Sequence, residues 1–189
     1  MRQFFYLLVF PFVVFIAAAC SKNDHEGVNI PEYEMEINGQ SGSVSMALYY
    51  DFQGNTIYEP HFSLTLYKKS ENPGEEFDPN VYVMIDISES LIGKNIDLAR
   101  SLGDYDELVP TLSLLISSKR GQKISIDYFP DSYDLFLSGG SYENVTISKG
   151  WLHVSRLDEN QFVVEFSLML SDGQSAKIAW EGSAIEEIL

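Results

Sequence analysis

From Glu32 onward the chain alternates apolar and polar residues with the period of two that marks a half-buried β-strand. Tyr33, Met35 and Ile37 fall on one face and Glu32, Glu34 and Glu36 on the other. After a turn beginning at Asn38-Gly39, Val44, Met46, Leu48 and Tyr50 share a face and are expected inside. Phe62, Leu64 and Leu66 alternate with His61, Ser63 and Thr65, in a strand that either starts after Pro60 or lies at an edge there, because proline lacks a ladder donor. Ser70 to Asn80, with Pro73, Gly74 and Pro79 among acids, reads as a loop. Val81, Val83, Ile85 and Ile87 then oppose Tyr82, Met84 and Asp86.

The middle of the chain is less regular. Leu91 to Leu98 reads as a short turn packed over one end of the core, and Gly103 to Glu107 as an acidic loop. Leu112, Leu114 and Ile116 mark the next strand, and Ile124, Ile126 and Tyr128 the one after it. Tyr133 to Leu137 forms a short strand, and Val145 with Ile147 begins another. The last third is the clearest. Trp151–Leu157, Gln161–Leu170 and Gln174–Glu181 read as a three-strand meander. Phe162, Val164, Phe166, Leu168, Leu170, Ala176, Ile178 and Trp180 point inward. Asp172-Gly173 reads as a type I′ turn. About ten short strands separated by turns predict an all-β fold, an antiparallel two-sheet β-sandwich. A lipocalin-like closed barrel is the alternative.

The first twenty residues do not alternate. Arg2 gives a positive start, Phe4 to Ile16 an apolar run, and Ala17-Ala18-Ala19 a small-residue zone before Cys20, the only cysteine in the chain. This is the layout of a cleaved export signal. A transmembrane helix wants ~20 apolar residues, and this run is shorter and holds Pro11. A plain secretory signal with an incidental cysteine is the other alternative. Ala17-Ala18-Ala19-Cys20 resembles a bacterial lipobox, with Ala17 where leucine is more usual. The resemblance implies cleavage between Ala19 and Cys20 and a diacylglycerol on the Cys20 thiol. Two or more acyl chains give stable anchoring where one does not.

The polar segment after Cys20, with Lys22, Asp24 and Glu26, resembles the acidic export stretch of surface-exposed lipoproteins in the Bacteroidetes. Lipobox, acidic tether, the Leu91–Leu98 segment and the closing meander together look like small β-rich lipoproteins of Bacteroides-type bacteria. That resemblance implies a lipid anchor at the outer membrane, exposed at the cell surface, and carries no activity with it. The expected organisation is a signal peptide at 1–19, an acylated cysteine and tether at 20–31, and one β-rich domain at 32–189.

The chain has 189 residues and a net charge of -16, one unit more negative once Arg2 is removed. Nucleic acid and anionic lipid headgroups both require positive charge, so neither is an expected partner. The membrane is reached through the lipid on Cys20. Aromatic residues make up 13% of the sequence, mostly Tyr and Phe, which suits β-structure.

No catalytic signature assembles. G-x-S-x-G, H-E-x-x-H, a P-loop and a dinucleotide glycine fingerprint are all missing from the sequence, and no cofactor is expected. His25 falls in the tether, and His61 and His153 fall in strands, where packed or surface histidines are commoner than a zinc pair. Asp104, Asp106 and Glu107 lack the ordered glycine and distal glutamate of an EF-hand and read as a solvated loop, as do Asp131 and Asp134. Asn144-Val145-Thr146 is a chance glycosylation triplet in a bacterial chain. Tyr49, Tyr58, Tyr82, Phe129, Phe136 and Tyr142 remain, at positions where alternation predicts exposure or a loop. They are the candidate ligand-binding residues, because flat rings beside Asp and Asn suit sugars. The sequence points to a non-enzymatic binding module for a glycan or an envelope protein. A lipocalin-like carrier of a small apolar ligand is the alternative.

Overall fold

The computed structural model describes residues 34–54, 57–103, 109–118, 122–138 and 144–187. The signal segment, Ala19, Cys20, Lys22, Asp24, Glu26, the acidic residues 104–107 and Tyr142 all lie outside the described residues. Among the described residues no helix is long and apolar enough to cross a membrane.

Two sheets pack face to face and do not close into a barrel. The six-stranded sheet holds β1 (Met35–Ile37), β2 (Gln40–Gly42), β6 (Asn95–Asp97), β10 (Ile147–Asp158), β11 (Gln161–Leu170) and β12 (Ser175–Ser183). Its strand order is β2-β1-β12-β11-β10-β6. The seven-stranded sheet holds β3 (Val44–Phe52), β4 (His61–Lys69), β5 (Phe77–Ser88), β7 (Leu112–Ser117), β8 (Lys123–Tyr128), β9 (Tyr133–Ser138) and β13 (Ile185–Glu186). Its order is β13-β3-β4-β5-β7-β8-β9. Every pairing is antiparallel except β13 with β3, where the end of the chain returns alongside Leu48 and Tyr49.

The core is the space between the sheets. Phe162, Val164, Phe166 and Leu168 of β11 meet Phe62, Leu64 and Leu66 of β4 and Val83, Ile85 and Ile87 of β5, all buried. Phe162 packs on Phe62 and Tyr49 with ring centroids 5.3 and 5.5 Å away. Aromatic pairs in such tilted arrangements add stabilisation beyond the area they bury.

The three strands of the meander form, with inward and outward residues on the expected faces, but the first, β10, begins at Ile147 and takes in the separate strand expected around Val145 and Ile147. The turn at Asp172-Gly173 is different. Only Gly173 has positive φ, at 91°, and Asp172 accepts a bond from the Gln174 amide, 3.0 Å away. The carboxylate holds the turn in place of a second left-handed residue. The two-residue turn with both φ positive is instead Asn38-Gly39, between β1 and β2, at 49° and 78°.

Strand β3 departs most from its pattern. Val44 packs against the core, but Ala47 and Tyr49 are the buried residues beyond it, while Met46, Leu48 and Tyr50 turn outward. The cause is a bulge. Val44 pairs with Lys68 and Met46 with Tyr67, so Ser45 is an extra residue and the side-chain phase reverses after it. One inserted residue sends every later side chain to the opposite face.

Two other segments correct the sequence reading. Strand β5 begins at Phe77 rather than after Asn80, with exposed Pro79 next to an irregular register. Leu91 to Leu98 does cover the core, with Leu98 and Ile96 buried, but it also contributes β6 to the free edge of β10. Tyr128 of β8 fastens this crossover by donating its hydroxyl to the Leu98 carbonyl at 2.9 Å.

Candidate functional site

The outer face of the seven-stranded sheet is set by strand register. Each strand contributes alternate residues, and the pairing aligns them in rows across the sheet. The middle row runs Ile185, Leu48, Thr65, Met84, Leu115, Ser125 and Phe136, one residue from each of the seven strands. Five of the seven are large and apolar. The two ends are open to solvent, Ile185 at 61% and Phe136 at 58%, and the interior positions are half-buried. Six strand spacings make this stripe ~29 Å long.

The rows on either side differ from each other. One holds Tyr50, Ser63, Asp86, Ser113, Asp127 and Asp134. Asp127 and Asp134 stand directly opposite on β8 and β9, a like-charge pairing that weakens a sheet. The other holds Met46, Tyr67, Tyr82, Ser117 and Lys123. Here Tyr67 packs at 5.6 Å on Tyr82 and at 4.9 Å on Phe77. Burial, and then the neighbouring Tyr82, pushes the Tyr67 phenol above its ordinary pKa. The Tyr50 phenol is raised mainly by its hydrogen bond to Glu187.

The predicted binding residues are not brought together. Tyr82 and Phe136 lie on this face. Tyr49 does not: the bulge at Ser45 turns it into the core, where it is 3% exposed. Burial, and then the charge and hydrogen bond of Glu186, raises its pKa. Tyr58 and Phe129 are exposed, but in the connections before β4 and after β8, at the rim of the sheet. His61 and His153 are on different sheets, so they form no pair. His61 stacks on Phe52 at 4.9 Å, and His153 meets the Ser155 hydroxyl at 2.8 Å. Asp134 lies in β9, the short strand expected from Tyr133 to Leu137.

Sequence reasoning missed Leu48, Leu115 and Ile185. Leu48 was placed inside by an alternation that ignores the bulge. Leu115 had a visible signal, since it follows Leu114 and precedes Ile116 where a polar residue would continue the pattern. Ile185 had none, because its place depends on a parallel return to β3.

A concavity of about 440 Å³ opens between Tyr49, Asp158, Glu159, Ser183 and Glu186. Tyr49, which lines it, also packs under Arg156, whose guanidinium lies 5.6 Å from the Tyr49 and Phe162 ring centres and 6.0 Å from that of Phe62. Arg156 also donates to the Glu159 carbonyl at 2.6 and 3.0 Å. These contacts make it a cap on the aromatic core. Among the described residues no three His, Cys, Asp or Glu side chains converge as a metal site would need.

Comparison of the chain with protein-family models, with curated proteins and with solved structures gives no match.

Proposed function

We propose that this chain is a lipid-anchored lipoprotein of the bacterial outer membrane surface. In this reading it acts as a non-enzymatic interaction module, holding its partner on the outer face of the seven-stranded sheet. The observation that carries the proposal is the apolar stripe from Ile185 to Phe136, which crosses all seven strands on a surface that a solvated sheet would make polar. Its aliphatic and thioether groups suit apolar side chains of a polypeptide. The rings of Tyr67, Phe77 and Tyr82 are tilted against each other, an arrangement that offers less flat area to a sugar. Buried side chains of both sheets form one contiguous apolar cluster, which favours a binder over a carrier.

The anchor half of the reading rests on Ala17 to Cys20 and on the acidic tether. Cys20→Ser should move the protein from the membrane to the soluble fraction, and retention in the membrane would overturn the anchor. The binding half is tested by chemical cross-linking in intact cells with lysine-directed reagents. Adducts of the full-length chain, of whatever composition, are expected to disappear in Leu115→Glu. Adducts indifferent to that change, together with a positive glycan array, would move the ligand from protein to sugar. Indifferent adducts and a silent array would remove this face as the site.

A further inference from the structure

The rows flanking the stripe are unlike each other, and this makes the face complementary to itself. Take a two-fold axis lying along the stripe, between two copies stacked face to face. Each strand then lies over its own equivalent, running in the opposite direction, and the two flanking rows exchange places. On β8, Asp127 of one copy meets Lys123 of the other, because both lie two residues from Ser125 on the central row. On β5, Asp86 meets Tyr82 across Met84 in the same way, a carboxylate over a phenol. Along the axis itself Leu48, Met84, Leu115 and Phe136 each meet their own equivalent. The other in-plane axis, parallel to the strands, sets Asp86 of the middle strand against Asp86 and aligns the acidic rows. Charge therefore selects one of the two isologous arrangements.

We infer that this face binds a second copy of the same chain through that first arrangement. The inference rests on the proposed function, and names the partner within it. Three rows across seven strands offer ~600 Å² per copy, so ~1,200 Å² in all, the lower end of specific interfaces. A contact of this size gives a weak dimer. Confinement of lipid-anchored copies to one membrane raises their effective concentration. The net charge of -16 opposes association at long range, and salt screens that repulsion more than it screens the close Asp127–Lys123 pairs. Dimerisation should strengthen as salt rises from low to physiological.

The test uses the full-length protein in cells. Stacked sheets lie ~10 Å apart, too far for a disulfide, so a short bismaleimide is the reagent. Leu115→Cys, on the axis, should cross-link to a homodimer, whereas wild type and Ser167→Cys, on the outer face of the other sheet, should not. In the Leu115→Cys background, Asp127→Lys or Lys123→Asp alone should lower the dimer yield, roughly tenfold, since each reverses two symmetry-related pairs. The double exchange should restore it, a rescue available only if the two residues meet across copies. No dimer above the Ser167→Cys level, or no rescue by the double exchange, would overturn the inference. If lysine-directed adducts still vanish in Leu115→Glu, the binding face survives and the partner is a different protein. If they do not, the face itself falls with it.

Discussion

The six-stranded sheet presents Glu36, Lys177, Glu165, Ser167, His153 and Asn95 to solvent with Trp151, Val163 and Met169 scattered among them, and Glu36 pairs with Lys177 across β1 and β12. The seven-stranded sheet presents Leu48, Met84, Leu115 and Phe136 in one row, interrupted by Thr65 and Ser125. Their inner faces do the same work, burying β-branched residues, leucines and phenylalanines against each other. The contrast separates two demands on a strand. Burial against the core fixes alternate residues as apolar, and stability asks nothing similar of the residues between them. An outer face can therefore be polar at no cost to the fold. One sheet scatters its outward apolar residues among charges, and the other aligns them across its strands.

The largest test of this contrast removes what both sheets share. Phe166→Asp places an unpaired carboxylate at a buried position of β11, at a cost of ~4 kcal/mol or more, and should abolish cooperative thermal unfolding by circular dichroism. Survival of a folded transition would mean that the two sheets do not depend on a common core. A more selective test is Tyr49→Ala, at the core site that the bulge gives to β3, where the ring packs on Phe162. The expected loss is about 3 kcal/mol, on the scale of emptying an aromatic core site. A melting temperature within a few degrees of wild type would show that this side of β3 does not face the core.

Much of the sandwich was legible in the sequence because burial writes itself as alternation. The β11–β12 hairpin could be placed residue by residue, since Phe162 to Leu170 pairs with β12 without an irregularity. The face of β3 was not legible, because a single unpaired residue reverses phase and nothing in Val44-Ser45-Met46 announces it. The apolar stripe was not legible for a different reason. It is perpendicular to the chain, and only inter-strand register brings Leu48, Thr65, Met84 and Leu115 into one row. The aromatic residues drew attention because of their type. Tyr49, Tyr58 and Phe129 are scattered between core and rim by the strand positions they occupy.

Tyr128 sharpens the comparison in another way, since it ties the seven-stranded sheet to the crossover that supplies β6 to the other. Burial raises its pKa above the ordinary value of 10.0, with the neighbouring Tyr133 and Asp97 adding to the effect. A raised pKa means the folded state holds the proton more tightly than the unfolded chain. The associated stability is whole below pH 10 and is lost as pH rises above it. Tyr128→Phe leaves the Leu98 carbonyl without this donor and should cost about 1–2 kcal/mol at neutral pH. The gap between variant and wild type should narrow in thermal melts taken at increasing pH above 10, because the phenylalanine has no proton to lose. A gap that stays constant would show that the Tyr128 proton is not linked to folding.

The smallest expected effect on stability is the one that separates the two faces most directly. Leu115 on β7 and Ser167 on β11 both occupy outward positions of interior strands. Leu115→Glu and Ser167→Glu add the same charge to a protein that already carries a large negative excess. Neither touches the core, so each should change stability by no more than ~0.5–1 kcal/mol. If the outer faces were equivalent, the two variants would behave alike in every assay. We expect them to match in thermal melts and to differ in association, with Ser167→Glu retaining the cross-linked species of wild type and Leu115→Glu losing them. Equal loss in both would assign the effect to net charge, since a like charge repels a partner from either face. Loss in Leu115→Glu alone can come only from the stripe, because charge, strand position and stability are then held equal between the two variants.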